Sequence, residues 1–192
     1  MKKLFIQAFK MLLLMTLLTG IIYPLFITMV GQLIFPHQAN GSILYKDDTV
    51  IGSQLLGQSF FDSIYFHPRP SAINHNPVPS GASNLGLSST ALREQVNTRE
   101  KEFREKNFLA DSIDVPSEMI FASGSGVDPH ISKEAAFLQV PRIIKSRTLN
   151  TSQSILVYKL IDSMTENRQF GILGEEVVNV LELNIKLNEL IK

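Results

Sequence analysis

The sequence predicts a single N-terminal transmembrane helix followed by an extracytoplasmic α+β domain with a small, mostly antiparallel sheet. Three observations predict this class: the segment from Met11 to Tyr45 contains no Asp, Glu, Lys or Arg, three lysines precede it, and the rest mixes helical with alternating apolar patterns. We divide the chain into a cytoplasmic N-terminus (1–10), a transmembrane helix (11–35), a linker (36–41) and the domain (42–192).

The apolar stretch from Met11 to about Phe35 exceeds the roughly 20 residues that a helix needs to span a bilayer. A cleaved signal peptide has an apolar region of only about 7 to 15 residues and a small-residue cleavage site. Here apolar chain continues well past Gly20. Gly20, Pro24 and Gly31 are tolerable because neighbouring membrane helices can satisfy freed backbone groups. We therefore expect a retained anchor that packs against other helices.

Lysines set the expected orientation. Lys2, Lys3 and Lys10 precede the span, and no basic residue follows it closely. Because cytoplasmic flanks carry the excess of Lys and Arg, we expect a single-pass protein of the plasma (inner) membrane with its N-terminus in the cytoplasm. The domain then lies outside.

Composition narrows the function classes. Three of the 18 basic residues precede the span, so the remainder carries 15 against 18 acidic residues, a net charge near −3. This balance predicts no nucleic-acid partner and no polybasic lipid-binding tract. The absence of cysteine excludes disulfides, thiolate metal sites and a cysteine nucleophile. About 155 residues remain beyond the anchor, enough for one domain with its own core.

After the linker, two short apolar runs, Ser42–Tyr45 and Thr49–Ser53, predict a hairpin. Residues 55–87 are rich in Gly, Ser, Asn and Pro but keep aromatic residues, which indicates an ordered irregular region and the first place to look for a site. A charged helix is predicted from Ser89 to about Asn107.

The second half is predicted to contain a strand from Val115 to Ala122, a helix starting near Ser132, a helix from Ser152 to Thr165 and a final strand within Val177–Leu187. Pro141 is expected to kink the helix that begins near Ser132 or to open a second segment. About three helices would pack on the sheet.

The loop 123–130 holds Ser125, Asp128 and His130, and therefore raises a serine hydrolase as the alternative function. A nucleophile elbow needs Gly-x-Ser-x-Gly, which this loop lacks. It also lacks the complete glycine pattern of a dinucleotide or phosphate loop. The histidines show no zinc-motif spacing, so no metal site is expected; they are His37, His67, His75 and His130.

Aromatic and proline residues surround Arg69. Two readings remain open for this segment: a stiff loop that presents Arg69 to a partner, or a packed turn in which Arg69 is tied to a carboxylate or carbonyls.

Several motifs taken together resemble the C subunit of the bacterial Kdp potassium-transporting ATPase, over nearly the whole chain. They are Gly57–Phe60, Tyr65–Phe66 with Arg69–Ala72, Ser80–Gly86, Ala122–Gly126 with Asp128–Ser132, and Val178–Asn184. Within them we expect the following residues to form partner-contacting or structural loops: Tyr65, Phe66, Arg69, Pro70, Ser123, Gly124, Ser125, Gly126, Asp128, Pro129, His130, Asn179 and Asn184.

The resemblance implies an accessory, non-catalytic subunit of a high-affinity potassium pump. Its expected partners are a channel-like A subunit that selects potassium, an ATP-hydrolysing B subunit and a very small F subunit. The family's C subunit is needed for assembly and is described as a catalytic chaperone that raises the ATP affinity of the B subunit.

The resemblance also implies a candidate nucleotide-binding segment, a serine-glycine-rich stretch likened to the ABC-transporter signature. Its residues here are Ser80, Gly81, Ser83 and Asn84, and Ala82 replaces the usual second glycine. Leu87 and Glu176 stand where proline is common in the family. No firmly bound cofactor is expected.

An external domain cannot touch cytosolic ATP, so any effect on ATP affinity has to pass through the membrane helices as coupling between sites. We favour a domain that caps the potassium entrance. A free-standing membrane sensor is the other rival, but only about ten residues lie on the cytoplasmic side to transmit a signal.

Overall fold

The computed structural model describes residues 1–191. The chain forms two compact units, Met1–Ser53 and Gln54–Lys192. The first contains the apolar helix and a hairpin, and the second contains the α+β domain core.

The first unit begins with one continuous helix, Lys2–Ile34, which contains an 18-residue window of mean hydropathy 2.1 and has no buried residues. Within the described residues it alone is long and apolar enough to cross a membrane, which is consistent with a single-pass anchor. It comprises α1 (Lys2–Leu17), a π-helical turn (Leu18–Ile22) and α2 (Tyr23–Ile34). Pro24 has no N–H to donate to the carbonyl of Gly20, and a widened turn is a known way to absorb such a gap.

Helix α2 ends at Ile34. The next residue, Phe35, has φ −129° and ψ 56°, outside the helical region, and precedes Pro36. The residue before a proline disfavours the helical conformation, so this end was predictable. The linker is not wholly irregular, because Pro36–Ala39 forms one short helix, α3.

The predicted hairpin is confirmed. Strands β1 (Ile43–Lys46) and β2 (Thr49–Ser53) pair antiparallel. Asp47 and Asp48 both have positive φ, at 48° and 59°. A two-residue connection with both residues left-handed matches the twist of the strands that it joins.

The second unit contains α4 (Thr90–Asn107), α5 (Ser117–Ile120), β3 (His130–Ser132), α6 (Lys133–Ser146), α7 (Thr151–Met164), β4 (Val177–Asn179) and α8 (Val180–Leu190). Strands β3 and β4 pair antiparallel, with Ile131 opposite Val178. The α+β class with small antiparallel sheets is therefore confirmed, although the strands form two separate pairs. The core residues with no exposed surface are Phe66, Ala135, Ala136, Val140, Ile143, Val157, Ile161, Val178, Leu183 and Leu187.

The helix starts follow local capping chemistry. The side chain of Ser89 accepts from the N–H of Leu92, and that of Ser132 accepts from Ala135 at 3.0 Å. Asn150 and Gln153 form a complete capping box at the start of α7. The three helices predicted near residues 89, 132 and 152 are thereby confirmed.

Two strand predictions about the second half are wrong. The strand predicted over Val115–Ala122 contains the helical turn α5, which follows Pro116 and buries Met119. A short apolar run cannot distinguish the two states. Pro141 does not open a second segment, because α6 continues through it as one helix in which Pro141 is exposed.

The strand predicted over Val177–Leu187 is the second error. Only three residues are extended, and α8 begins at Val180 because Asn179 caps it by accepting from the N–H of Glu182 at 3.2 Å. Val180, Leu183 and Leu187 share the buried helix face at helical spacing. The alternation of apolar and polar residues in this segment was compatible with both periods.

Candidate functional site

Two irregular segments, residues 54–86 and 122–130, form one ordered body that we call the double loop. The N–H of Gly57 donates to the carbonyl of Val127 at 2.7 Å, that of Gly81 to Ser125 at 3.0 Å, and that of Ser123 to Pro70 at 3.0 Å. These bonds satisfy backbone groups that no sheet or helix would otherwise pair. The region predicted to be irregular but ordered is so, and the reason is this cross-bonding.

Two glycines allow the close approach of the two segments. A methyl group on Gly57 would overlap the carbonyl oxygen of Asp128 and lie 2.9 Å from its carbon. A methyl group on Gly126 would overlap Ile73 and lie 2.8 Å from the carbonyl oxygen of Gly81. Gly126 also has φ +73°, a conformation that other residues rarely adopt.

Arg69 is tied to a carboxylate, as the second of its two readings expects. Its Nη1 lies 2.7 Å from Oδ2 of Asp128, and both side chains are about one-quarter exposed. Oδ1 of Asp128 accepts the N–H of His130 at 3.0 Å. The Nε of Arg69 is buried and has no hydrogen-bond partner among residues 1–191. The pair fixes the 69 and 128 loops to each other.

Ser125 and His130 do not form a nucleophile–base pair. The hydroxyl of Ser125 accepts from the N–H of Val127 at 3.2 Å in a local turn. The Nδ1 of His130 lies 3.7 Å from Asp128, and no hydrogen bond joins it to Ser125 within the described chain. Gly124 is exposed and open, whereas Ser123 and Pro129 are buried. The loop has the geometry of a structural connection.

The candidate nucleotide segment lies on the double loop. Ser80 and Asn84 are exposed, while Gly81 and Ser83 are partly buried. Because the N–H of Gly81 is bonded to Ser125, it cannot also point at a phosphate in this conformation. The four residues lie together because they are close in the sequence, and none of them has a positively charged side chain.

Side chains from α6 and α8 complete the double loop. The Asn184 amide accepts the N–H of Phe66 at 2.8 Å and donates to its carbonyl at 2.9 Å. Gln139 does the same for His67, at 2.7 and 3.2 Å. Asn179 donates to the carbonyl of Gln54 at 2.8 Å. Each amide thus replaces a strand partner for an extended stretch of loop.

Arg142 is the central polar residue, and sequence reasoning missed it. It is 3% exposed, and its Nη1 donates to the carbonyls of Ser63 at 2.6 Å and Tyr65 at 2.8 Å. Its Nε donates to Asn107 and its Nη2 to Gln139, at 2.9 and 2.8 Å. Burial lowers the pKa of Arg142 to about 10, so the guanidinium stays charged at neutral pH. The position of an arginine between Val140 and Ile143, on an apolar helix face, could have indicated this buried role.

Tyr65 is held by a second arginine. The Nε of Arg147 donates to the carbonyl of Ile64 at 2.8 Å, and its guanidinium carbon lies 5.3 Å from the centre of the Tyr65 ring. The tyrosine ring also contacts Phe60, with centroids 5.6 Å apart. The neighbouring Phe66 has no exposed surface. Both predicted loop residues therefore have structural contacts.

A groove of about 700 Å³ lies between the double loop and α4. His67 and His75 line it on one side, and Arg99 and Lys106 on the other. Burial is the main cause that lowers the pKa of His67 to about 4, and the charge of Arg142 adds to it. Burial also lowers the pKa of His75. These histidines are therefore neutral at pH 7. Within residues 1–191, no group of three His, Cys, Asp or Glu side chains is placed to bind a metal.

The partly buried, neutral His67 predicts a pH dependence of stability. Its pKa is about 4 in the folded chain and 6.5 when unfolded, so the unfolded state binds more protons between these values. The contribution of neutral His67 to the free energy of unfolding is fully present above pH 6.5. It is lost as pH falls to about 4, by up to about 3 kcal/mol. Urea unfolding of the detergent-solubilised full chain from pH 4 to 8 measures this loss. The His67→Gln variant should show a flatter profile in that window, and a slope identical to wild type would contradict the assignment.

The comparisons with known proteins match nearly the whole chain. A family model described as KdpC, the K⁺-transporting ATPase c chain, matches residues 5–189. The chain is similar to the potassium-transporting ATPase KdpC subunit of Methylococcus capsulatus, with 44% identity over 189 residues and 97% of each chain covered. That of Mycobacterium tuberculosis is 43% identical over 192 residues, covering 99% of this chain and 100% of its own.

The KdpC subunit of Rhodospirillum rubrum is 46% identical over 178 residues, covering 91% of this chain and 90% of its own. The similarity therefore extends over nearly all of the apolar helix and of the domain. The chain therefore belongs to the KdpC family of potassium-transporting ATPase subunits.

Proposed function

We propose that this chain is the accessory, non-catalytic subunit of an ATP-driven, high-affinity potassium uptake complex, needed for its assembly. The observation that carries the proposal is the match to the K⁺-transporting ATPase c chain over residues 5–189. Its partners are the channel-like A subunit, the ATP-hydrolysing B subunit and the small F subunit. The double loop supports a non-catalytic role, because the polar groups that we singled out there form hydrogen bonds and an ion pair with one another.

The domain lies on the extracytoplasmic side. Three lysines before the span and none close after it support this orientation. The chain then raises the ATP affinity of the B subunit through its membrane helix, as a coupling free energy between separate sites. The bonded N–H of Gly81 supports this indirect route over direct contact between ATP and residues 80–84.

The domain also caps the potassium entrance of the A subunit, with the 69 and 128 loops on the docking side. Its net charge near −3 raises the local cation concentration modestly, since screening in physiological salt acts over about 8 Å. The Arg69–Asp128 pair contributes a fixed loop shape to this docking.

Two measurements test on which side of the membrane the domain lies and whether the chain changes ATP affinity. The chain has no cysteine, so Leu87→Cys, at a side chain that is 93% exposed, gives a single thiol for a membrane-impermeant maleimide. We expect labelling in right-side-out vesicles and, in inverted ones, only after detergent. When the separately purified subunits are mixed in detergent, omission of the chain should weaken binding of a non-hydrolysable ATP analogue to the B subunit at least about fivefold, a typical allosteric coupling.

The two readouts separate the parts of the proposal. Labelling only in inverted vesicles would overturn the orientation and make direct contact with ATP possible. Unchanged analogue binding without the chain would remove the affinity role while leaving membership of the complex intact.

A further inference from the structure

The chain between α7 and β4 forms a short projecting hairpin, residues 166–177, that we call the finger. Glu166 and Val177 exchange both backbone hydrogen bonds, at 2.8 and 3.1 Å. Gln169 and Leu173 do the same nearer the tip, at 2.8 and 2.9 Å. Two closed pairs of bonds hold the finger in one conformation, although it is almost entirely exposed.

The tip of the finger is apolar. Phe170 is 91% exposed, Ile172 78% and Leu173 55%. Single exposed apolar side chains are ordinary, but several on one rigid tip are typical of an interaction site. Phe170 has φ +54°, where a bulky side chain is unfavourable and glycine or asparagine is preferred. Little burial by residues 1–191 offsets this cost, so the aromatic ring serves a contact outside the described chain.

Carboxylates surround the base of the finger. Glu166, Glu175 and Glu176 are all exposed, and Arg168 is the one cationic residue in the segment. Lys133, which feels the charge of Glu176, is already bonded to Asp162 at 2.8 Å. Segments that lie on membranes flank their apolar side chains with Lys and Arg and are attracted to anionic lipids. The finger has the opposite charge, which favours a protein partner.

We infer that the finger docks into an apolar socket with a basic rim on another subunit of the transport complex. This inference rests on the proposed function and identifies the element that makes the contact. A hairpin held in one conformation loses little entropy on binding. Aromatic anchors surrounded by weaker contacts are the usual centres of binding energy in interfaces. The acidic base contributes orientation and association rate.

The test compares three full-length, detergent-solubilised chains for binding to the separately purified A, B and F subunits mixed in detergent: wild type, Phe170→Ser with Ile172→Ser, and Leu87→Ser. Leu87 is 93% exposed and lies outside the finger, which makes it the matched control. We expect the finger variant to bind about 30-fold more weakly or worse, as for loss of a hot spot. The Leu87 variant should bind within about twofold of wild type, and all three should unfold at the same temperature.

The outcomes distinguish the possible failures. If wild type does not bind, the proposed function fails. If wild type and the finger variant bind equally, the finger inference alone is overturned. A photoreactive phenylalanine at position 170 should cross-link to a subunit in the complex, and a lipid adduct would overturn the protein socket. Glu175→Gln with Glu176→Gln should slow association at low salt, and an unchanged rate would overturn the basic rim.

Discussion

Replacing Arg142 with methionine should lower the free energy of unfolding by about 3 to 5 kcal/mol. The change leaves the buried carbonyls of Ser63 and Tyr65 without their donor, and it removes the bonds to Asn107 and Gln139. Each buried polar group that loses its partner costs about 1 to 3 kcal/mol. Thermal and urea unfolding of the full chain in detergent measures the loss.

A matched change at an exposed arginine provides the control. Arg93 lies on α4 with its side chain in solvent, and Arg93→Met should change stability by less than about 0.5 kcal/mol. Arg142→Lys keeps the charge but cannot reproduce a planar fork that serves four acceptors, so it should recover little. Equal losses for the Arg142 and Arg93 variants would show that the double loop does not depend on this guanidinium.

The second large effect is expected for Gly57→Ala, which should destabilise the chain by about 3 kcal/mol. Overpacking typically costs about 1 to 3 kcal/mol, and the upper end applies because the new methyl group meets the backbone of Asp128, which cannot rotate away. The 2.7 Å bond from Gly57 to Val127 would also lengthen. Unfolding temperature and susceptibility to proteolysis of the double loop report the change.

Gly124 gives the matching control within the double loop itself. A methyl group there meets nothing within 4 Å, so Gly124→Ala should leave stability within about 0.5 kcal/mol of wild type. If both alanine variants were equally stable, the close approach of residues 57 and 128 would not be required for folding.

Local chemistry made much of the fold predictable. The anchor follows from an uninterrupted apolar segment, the first hairpin from two short runs around a polar turn, and α4, α6 and α7 from their caps and periodicity. The start of α8 was missed because apolar residues alternate over several positions. The cap at Asn179 and the burial of Leu183 and Leu187 decide its helical state.

The candidate site was predictable as a region but not as a set of contacts. Glycine, proline and aromatic composition indicated an ordered loop over residues 55–87, and the family resemblance indicated its motifs. The hydrogen bonds between that loop and Gln139, Arg142 and Asn184 join positions far apart in the chain. The periodicity of a sequence does not predict such contacts. Pairing of Arg69 with Asp128 needed the fold to bring two loops together.

The amides of Asn179 and Asn184 also impose an order of events on biogenesis. They bond residues 54 and 66, across 125 and 118 positions of the chain, and α8 ends at Leu190. Contacts of such separation form late, because the intervening chain has to be closed first. A chain that is synthesised from its N-terminus onward cannot complete these early loops until Asn179 and α8 have been made. Folding of this domain therefore follows the synthesis of α8, and a premature stop before α8 would leave the domain unfolded.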